Sequence, residues 1–305
     1  GNRFILYKDI PSAWDAWDID SNAELQPIST LEPVTVEVIS SGPLIAQLRI
    51  SRKLSNSVLS QVITLRRGSR RLEFATTIDW HESHRMLKVT FPINLHANEA
   101  LHEIQFGHLR RPTHRSRQYD ADRFEVCNHK WSALMDELHG AAVLNDSKYG
   151  LSVDDSTIKL TLLRAPIVPD PQADRGAHTF TYAIYPWVGP LAESRLVQEA
   201  YELNSPPLIL PGEAGEASFF TIDAPNIILE TVKPAEDGSA DLILRLYESL
   251  HTSTQCTLSA ALPVLHAFQT DMLETEQAPM AIDAGKISLT FRPFEIKTIR
   301  LTFAL

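Results

Sequence analysis

The sequence predicts a mainly β protein: a large antiparallel β-sandwich followed by a small C-terminal β-sandwich. Apolar and polar residues alternate over many short segments, the period of strands with one buried face. Turn signals such as Gly42-Pro43 and Arg67-Gly68 separate these segments at short spacing, with no helical pattern between them. The 305 residues are 44% hydrophobic and 22% charged, which suits a soluble globular protein with room for two domains and their cores.

In order along the chain, residues 1–24 contain WDAWDID at Trp14–Asp20. Trp faces beside carboxylates suit a sugar, the ring face on Trp and the hydroxyls on Asp. The plainer reading is a Trp pair packed at the core edge, since Trp is usually highly buried. From Glu32 to Pro92 strand follows strand: Val34, Val36 and Val38 alternate, then Leu44, Ala46, Leu48 and Ile50. Leu72, Phe74, Ile78 and Trp80 share one parity. An antiparallel meander is expected here, paired into a sandwich.

Residues 100–140 carry His102, His108, His114 and His129, without the spacing or partner set of a zinc site. Arg110-Arg111-Pro112-Thr113-His114 reads as an exposed loop, with Pro112 breaking regular structure before it. Its Arg fork suits carboxylates or sugar hydroxyls.

The stretch from Asn145 to Trp187 places a strand-like run, with Ile158, Leu160 and Leu162 alternating, between polar segments rich in Pro, Asp and Gly. Lys148 and Tyr149 precede the run; Arg164, Asp170, Asp174 and His178 follow it. Such loops can hold a polar ligand, and salt bridges pinning a surface loop would look the same. Residues 190–203 show the best helical periodicity, bounded by Gly189-Pro190 and Asn204 to Pro207; they predict a packing helix. Strand alternation resumes at Leu242, Leu244 and Leu246, then Ile287, Leu289 and Phe291, then Ile296, Ile299, Leu301 and Phe303. The expected division is 1–223 for the large sandwich and 224–305 for the small one.

The charge balance of 28 basic against 38 acidic residues, net −10, argues against nucleic-acid binding. No apolar run approaches the roughly 18 residues of a membrane span. Cys127 and Cys256 are too few for a disulfide framework, and a reduced, cytoplasmic setting is expected. The chain opens at Gly1 with neither Met nor a signal-peptide pattern, and is read as a piece of a longer polypeptide.

GNRFILYKDIPSAWDAWDID, RRPTH, RFEVCNHKW, NDSKYG, LTLLRAP, PDPQADRGAHTFTYAIYP, ILETVKPAED, LRLYES and PFEIKTIRL occur in that order. Together they resemble the C-terminal half of α-mannosidases of glycoside hydrolase family 38, in the branch that includes the cytosolic and vacuolar enzymes. The resemblance covers nearly the whole chain. It implies a galactose-mutarotase-like supersandwich and then a small β domain. It also implies a retaining mechanism that removes terminal α-mannose from oligosaccharides. Zinc and the nucleophile would lie in a missing N-terminal catalytic domain, so no catalytic or metal residue is expected in this chain. The sandwich would close one wall of the sugar site through Arg164 first, at its strand end. Asp170, Asp174 and His178 would form the loop beside it, with Arg111, His114, Lys148 and Tyr149 as further wall residues. A free-standing carbohydrate-binding β-sandwich, with the Trp pair as its platform, stays open. So do a structural or oligomerisation module and a homo-oligomeric state.

Overall fold

The computed structural model describes residues 1–29, 33–213 and 215–304. Glu32, where the expected meander starts, lies outside the described residues. The chain divides into two compact units, one of Gly1–Ile104 with Leu109–Pro207, the other of Gln105–His108 with Leu208–Leu305. The passage into the second unit thus comes ahead of residue 224.

Among the described residues the first unit carries the strands β1 Arg3–Lys8, β2 Pro27–Ile28, β3 Val34–Ser41, β4 Ile45–Leu54, β5 Ser57–Arg66, β6 Leu72–Trp80, β7 Arg85–Pro92, β8 Glu99–Ile104, β9 Gly107–Pro112, β10 Val126–Cys127, β11 Trp131–Met135, β12 His139–Asn145, β13 Gly150–Asp154, β14 Thr157–Arg164 and β15 Gly176–Val188. They form a nine-stranded sheet, β3-β4-β5-β6-β15-β12-β11-β8-β9, and a six-stranded sheet, β10-β13-β14-β7-β1-β2. The pairings from β3 to β8 in the larger sheet and all those of the smaller sheet are antiparallel.

The core lies between these sheets. Phe74, Ile78, Trp80, Phe180 and Tyr182 from the larger sheet meet Leu87, Val89, Phe91, Leu151, Ile158 and Leu160 from the smaller. Period-2 alternation produces this layer directly, because successive side chains leave opposite faces of a strand. Phe74 stacks on Tyr182 at 5.2 Å between ring centres. Burial pushes the Tyr182 phenol far above its ordinary range, so it stays neutral. It donates to Asn2 Oδ1 at 2.6 Å and accepts from Gln61 Nε2 at 2.8 Å.

Three local expectations are corrected. The meander runs from β3 to β6 only; β7 crosses to the other sheet and pairs with β1 and β14. Residues 110–112 close strand β9 rather than forming a loop. Pro112 is tolerated because it ends a strand at the sheet edge, where no neighbour needs its missing N–H. The helix forms over Leu196–Asn204, and Leu191–Glu193 is a separate 3-10 turn. Arg195 between them has φ 57°, which stops helical hydrogen bonding there. Leu196, Val197 and Ala200 are buried, and Asn204 Nδ2 donates to the carbonyl of Asn145 at 3.0 Å.

The second unit holds β16 Phe220–Ile222, β17 Ile227–Pro234, β18 Leu242–Glu248, β19 Thr254–Ala260, β20 Val264–Thr270, β21 Glu276–Pro279, β22 Lys286–Phe291 and β23 Ile296–Phe303. Its sheets are β16-β19-β22 and β17-β18-β23-β20-β21, with Leu244, Leu246, Leu258, Leu289, Phe291 and Ile299 packed in the core.

Candidate functional site

One end of the first unit's sandwich gathers the chemistry. Strands β1, β6, β12 and β14 finish there, and β7, β13 and β15 begin. Arg164 is the last residue of β14. Its Nε donates to Asp9 Oδ2 at 2.7 Å, and Asp9 is 2% exposed. Its Nη2 donates to the carbonyls of Asp18 at 2.5 Å and Asp15 at 3.2 Å, and Nη1 to that of Ala16 at 3.5 Å. A planar guanidinium with several donors in fixed directions suits this grip on backbone oxygens. Arg164 is itself fixed, because Trp80 Nε1 donates to its carbonyl at 3.0 Å.

Asp15 closes the clasp from the other side. Its Oδ2 accepts from the amides of Ile167 at 2.8 Å and Val168 at 3.0 Å, and His84 Nε2 lies 3.2 Å away. Burial pushes the Asp15 carboxyl up, but the amide of Ile167, the His84 ring and the amide of Val168 pull it below its ordinary range, so it is ionised at neutral pH. The segment 12–20 is also tied internally: Ser12 donates to Asp20 Oδ2 through its amide at 3.1 Å and its hydroxyl at 2.7 Å.

The clasp holds Trp14 and Trp17 outward. They are 74% and 72% exposed, so the core-edge reading of the Trp pair is overturned. Trp14 has φ 58°, a left-handed conformation that costs about 1–3 kcal/mol outside glycine and persists where the surroundings over-determine it. The amides of Trp17 and Asp18 both donate to the Trp14 carbonyl, at 2.7 and 2.9 Å. Asp9 Oδ1 and Asp15 Oδ1 are buried and receive no donor from the described residues. A cavity of about 180 Å³ adjoins, lined by Asp9, Asp20, Asn22 and Gln26 among others.

A second group sits at the same end. Lys148 Nζ lies 4.5 Å from the centre of the Phe180 ring, a cation–π contact. Burial pulls the Lys148 ammonium below its ordinary range, against the opposing pull of Asp146 and Asp174. His178 Nε2 donates to the Asp174 carbonyl at 2.7 Å. Asp170 Oδ1 accepts from the amide of Gln172 at 2.8 Å and shapes the loop 165–175. Tyr149 is exposed, and its ring meets that of His129 at 5.5 Å.

Arg111 reaches toward this end, donating to the Cys127 carbonyl at 3.3 Å; Cys127 lies opposite Gly150 in the sheet. His114 does not join. It follows Thr113, whose carbonyl accepts from Asp155 in the β13–β14 turn at the far end of those strands, and its ring bonds Ser116. Asp9 and His84 were not singled out from sequence, because their partners lie 155 and 69 residues away. Asp15 stands in the conspicuous WDAWDID motif, and Arg164 at the end of LTLLRAP.

Among the described residues, no group of three or more His, Cys, Asp or Glu is arranged to hold a metal ion, so the residues present do not fit a zinc site. No helix among them is long and apolar enough to cross a membrane.

Comparison with known proteins agrees with this architecture. Residues 1–172 match the family model for the glycosyl hydrolases family 38 C-terminal domain. Residues 226–299 match that for the family 38 C-terminal beta sandwich domain. Alpha-mannosidase 2C1 of Homo sapiens is 40% identical over 311 residues, covering 99% of this chain and 30% of the human protein. Alpha-mannosidase G of Dictyostelium discoideum is 37% identical over 315 residues, covering 98% of this chain and 29% of that protein. A solved alpha-mannosidase from Enterococcus faecalis V583 has the same fold, with a TM-score of 0.79 at 19% identity, over 98% of this chain and 38% of its own. The chain thus spans about 30% of the length of the curated relatives it matches. It belongs to glycoside hydrolase family 38, whose C-terminal domains it comprises.

Proposed function

We propose that this chain is the C-terminal β-sandwich portion of a retaining, zinc-dependent α-mannosidase that removes terminal α-D-mannose from glycans. The loop end of the first unit forms one wall of its sugar site. The observation that carries this reading is the clasp of Arg164, Asp9 and Asp15, which holds Trp14 and Trp17 out to solvent beside carboxylates that each keep one oxygen without a donor among the described residues. A hexose offers complementary chemistry: an apolar ring face for the indoles and hydroxyl donors for the carboxylates. Polar groups held by long-range bonds on a rigid sheet are the form a specific pocket wall takes.

Retention of configuration needs two carboxyl groups about 5–5.5 Å apart, one of them the nucleophile. In this proposal both the nucleophile and the zinc ion belong to an N-terminal catalytic domain outside this chain, its partner in the whole protein. Arg164 acts through the loop it holds rather than on the reacting atoms. Cys127 and Cys256 are both free thiols, which suits a reduced compartment such as the cytoplasm.

Arg164→Ala in the longer enzyme tests the wall. Misplacing site groups by an ångström costs about 100-fold in rate, so kcat/KM on an aryl α-mannoside is expected to fall about that much with the sandwich still folded by circular dichroism. Normal kinetics in a folded variant would remove the loop end from the site.

A further inference from the structure

The inner face of the nine-stranded sheet continues as an apolar row beyond the core. Register carries it strand by strand: Phe74 faces Ile63, Ile63 faces Leu48, and Leu48 faces Val38. Val36, opposite Ile50, shares this face. Phe74 is 3% exposed, but Val36 and Val38 are 59% and 65% exposed, so the six-stranded sheet leaves the outer part of the row uncovered. Between sheet and row lies an open cleft of about 620 Å³, lined by Ile50, Ile63, Leu72, Phe91, Ile184 and the chain start at Gly1, with no charged side chain in its wall. A contiguous apolar surface of this kind marks an interface on a folded protein. Strand β3 is also a sheet edge of eight residues, VTVEVISS, without Lys or Pro and with a register shift only after Val38; the unpaired backbone of an edge strand is open to a further segment.

The start of the chain points to what covers it. Asn2 is anchored between the sheets, donating to Gln61 Oε1 at 2.7 Å and accepting from the Tyr182 hydroxyl at 2.6 Å. Gly1 lies against Phe91, where an added Cβ would stand 2.9 Å from its ring. A polypeptide leading into Gly1 therefore passes through the mouth of this cleft. The curated relatives are long enough to supply one, since the chain accounts for only about 30% of their length. We infer that, in the longer protein, the polypeptide segment leading into Gly1 crosses this cleft and lays apolar side chains on the row formed by Val36, Val38, Leu48 and Ile63. This rests on the reading of the chain as the C-terminal portion of a longer α-mannosidase.

The test uses that longer protein with Val36→Cys, and Ala240→Cys in an exposed turn as the reference site. Maleimide labelling of each site is followed by peptide-resolved mass spectrometry. Labelling at position 36 is expected to be at least 100-fold slower than at 240, and unchanged when the protein is diluted tenfold. A benzophenone photo-crosslinker at position 36 is expected to capture, within one polypeptide, the peptide that precedes Gly1. Labelling at the reference rate would overturn the inference. So would protection lost on dilution with cross-links between copies, which would assign the face to a second copy, or a cross-link to any other segment. None of these readouts requires turnover, so failure of the mannosidase reading would appear separately, as a longer protein that does not hydrolyse α-mannosides.

Discussion

Replacing Lys88 with Met should destabilise the first unit strongly at neutral pH and much less in acid. Lys88 stands on β7 and is 1% exposed. Its Nζ donates to Glu24 Oε1 at 2.7 Å, to Glu125 and to Ser152 Oγ at 3.1 Å. Lys159 Nζ donates to Glu24 Oε2 at 2.6 Å. Burial pushes the Glu24 carboxyl up, but the charge of Lys88 and hydrogen bonds from Lys159, Lys88 and Ser152 bring it from an ordinary 4.5 down to about 2. At about 1.4 kcal/mol per pH unit, that drop is worth about 3 kcal/mol. A carboxyl with a lowered folded value contributes its stability above the unfolded value, so this share is complete above pH 4.5 and lost as pH falls toward 2. Removing one partner of a buried pair costs about 3–5 kcal/mol, so Lys88→Met is expected to lose about that much at pH 7. The difference from the unsubstituted chain should narrow below pH 4.5. Urea unfolding followed by tryptophan fluorescence is the assay, because all five tryptophans, Trp14, Trp17, Trp80, Trp131 and Trp187, lie in the first unit. A loss below about 1 kcal/mol at pH 7, or a difference that stays constant from pH 7 to pH 3, would refute the assignment of this energy to the Lys88–Glu24 pair.

Gly140→Ala should destabilise by about 1–3 kcal/mol or more through overpacking, because a Cβ there would stand 2.0 Å from Trp187 Cζ2; the urea midpoint measures it. Trp14→Ala and Trp17→Ala should each change stability by less than about 0.5 kcal/mol, as expected of exposed positions, while weakening substrate use by the longer enzyme in KM or kcat. Burial pushes the Cys256 thiol up to about 11, and Cys127 is exposed. Native labelling with a thiol reagent at pH 7.5 should therefore modify Cys127 and leave Cys256 untouched, as peptide mass mapping would show.

The β class was legible because alternation is local: the parity of Phe74, Ile78 and Trp80 is the parity of the core. Which sheet a strand joins was not, since β7 follows its neighbours in sequence and still crosses over. Nor does alternation say how much a face is covered. Val34, Val36 and Val38 alternate just as Ile158, Leu160 and Leu162 do, yet the three valines are exposed and the other three are core. At the candidate site, the strand-end position of Arg164 and the density of WDAWDID were visible. Their meeting was not, because it depends on folding Asp9 and Asp15 onto a strand about half the chain away. His114 failed to join the others for a related reason: β9 ends at Pro112, and the next residue, Thr113, is tied to the far turn through its carbonyl.

The most direct test of the central claim is hydrolysis of an aryl α-mannoside, with zinc supplied, by this 305-residue chain and by the longer protein that contains it. The expected result is zinc-dependent turnover by the longer protein and none by the chain. Zinc-dependent turnover by the chain itself would contradict the account, because it would place the nucleophile and the metal ligands among these residues.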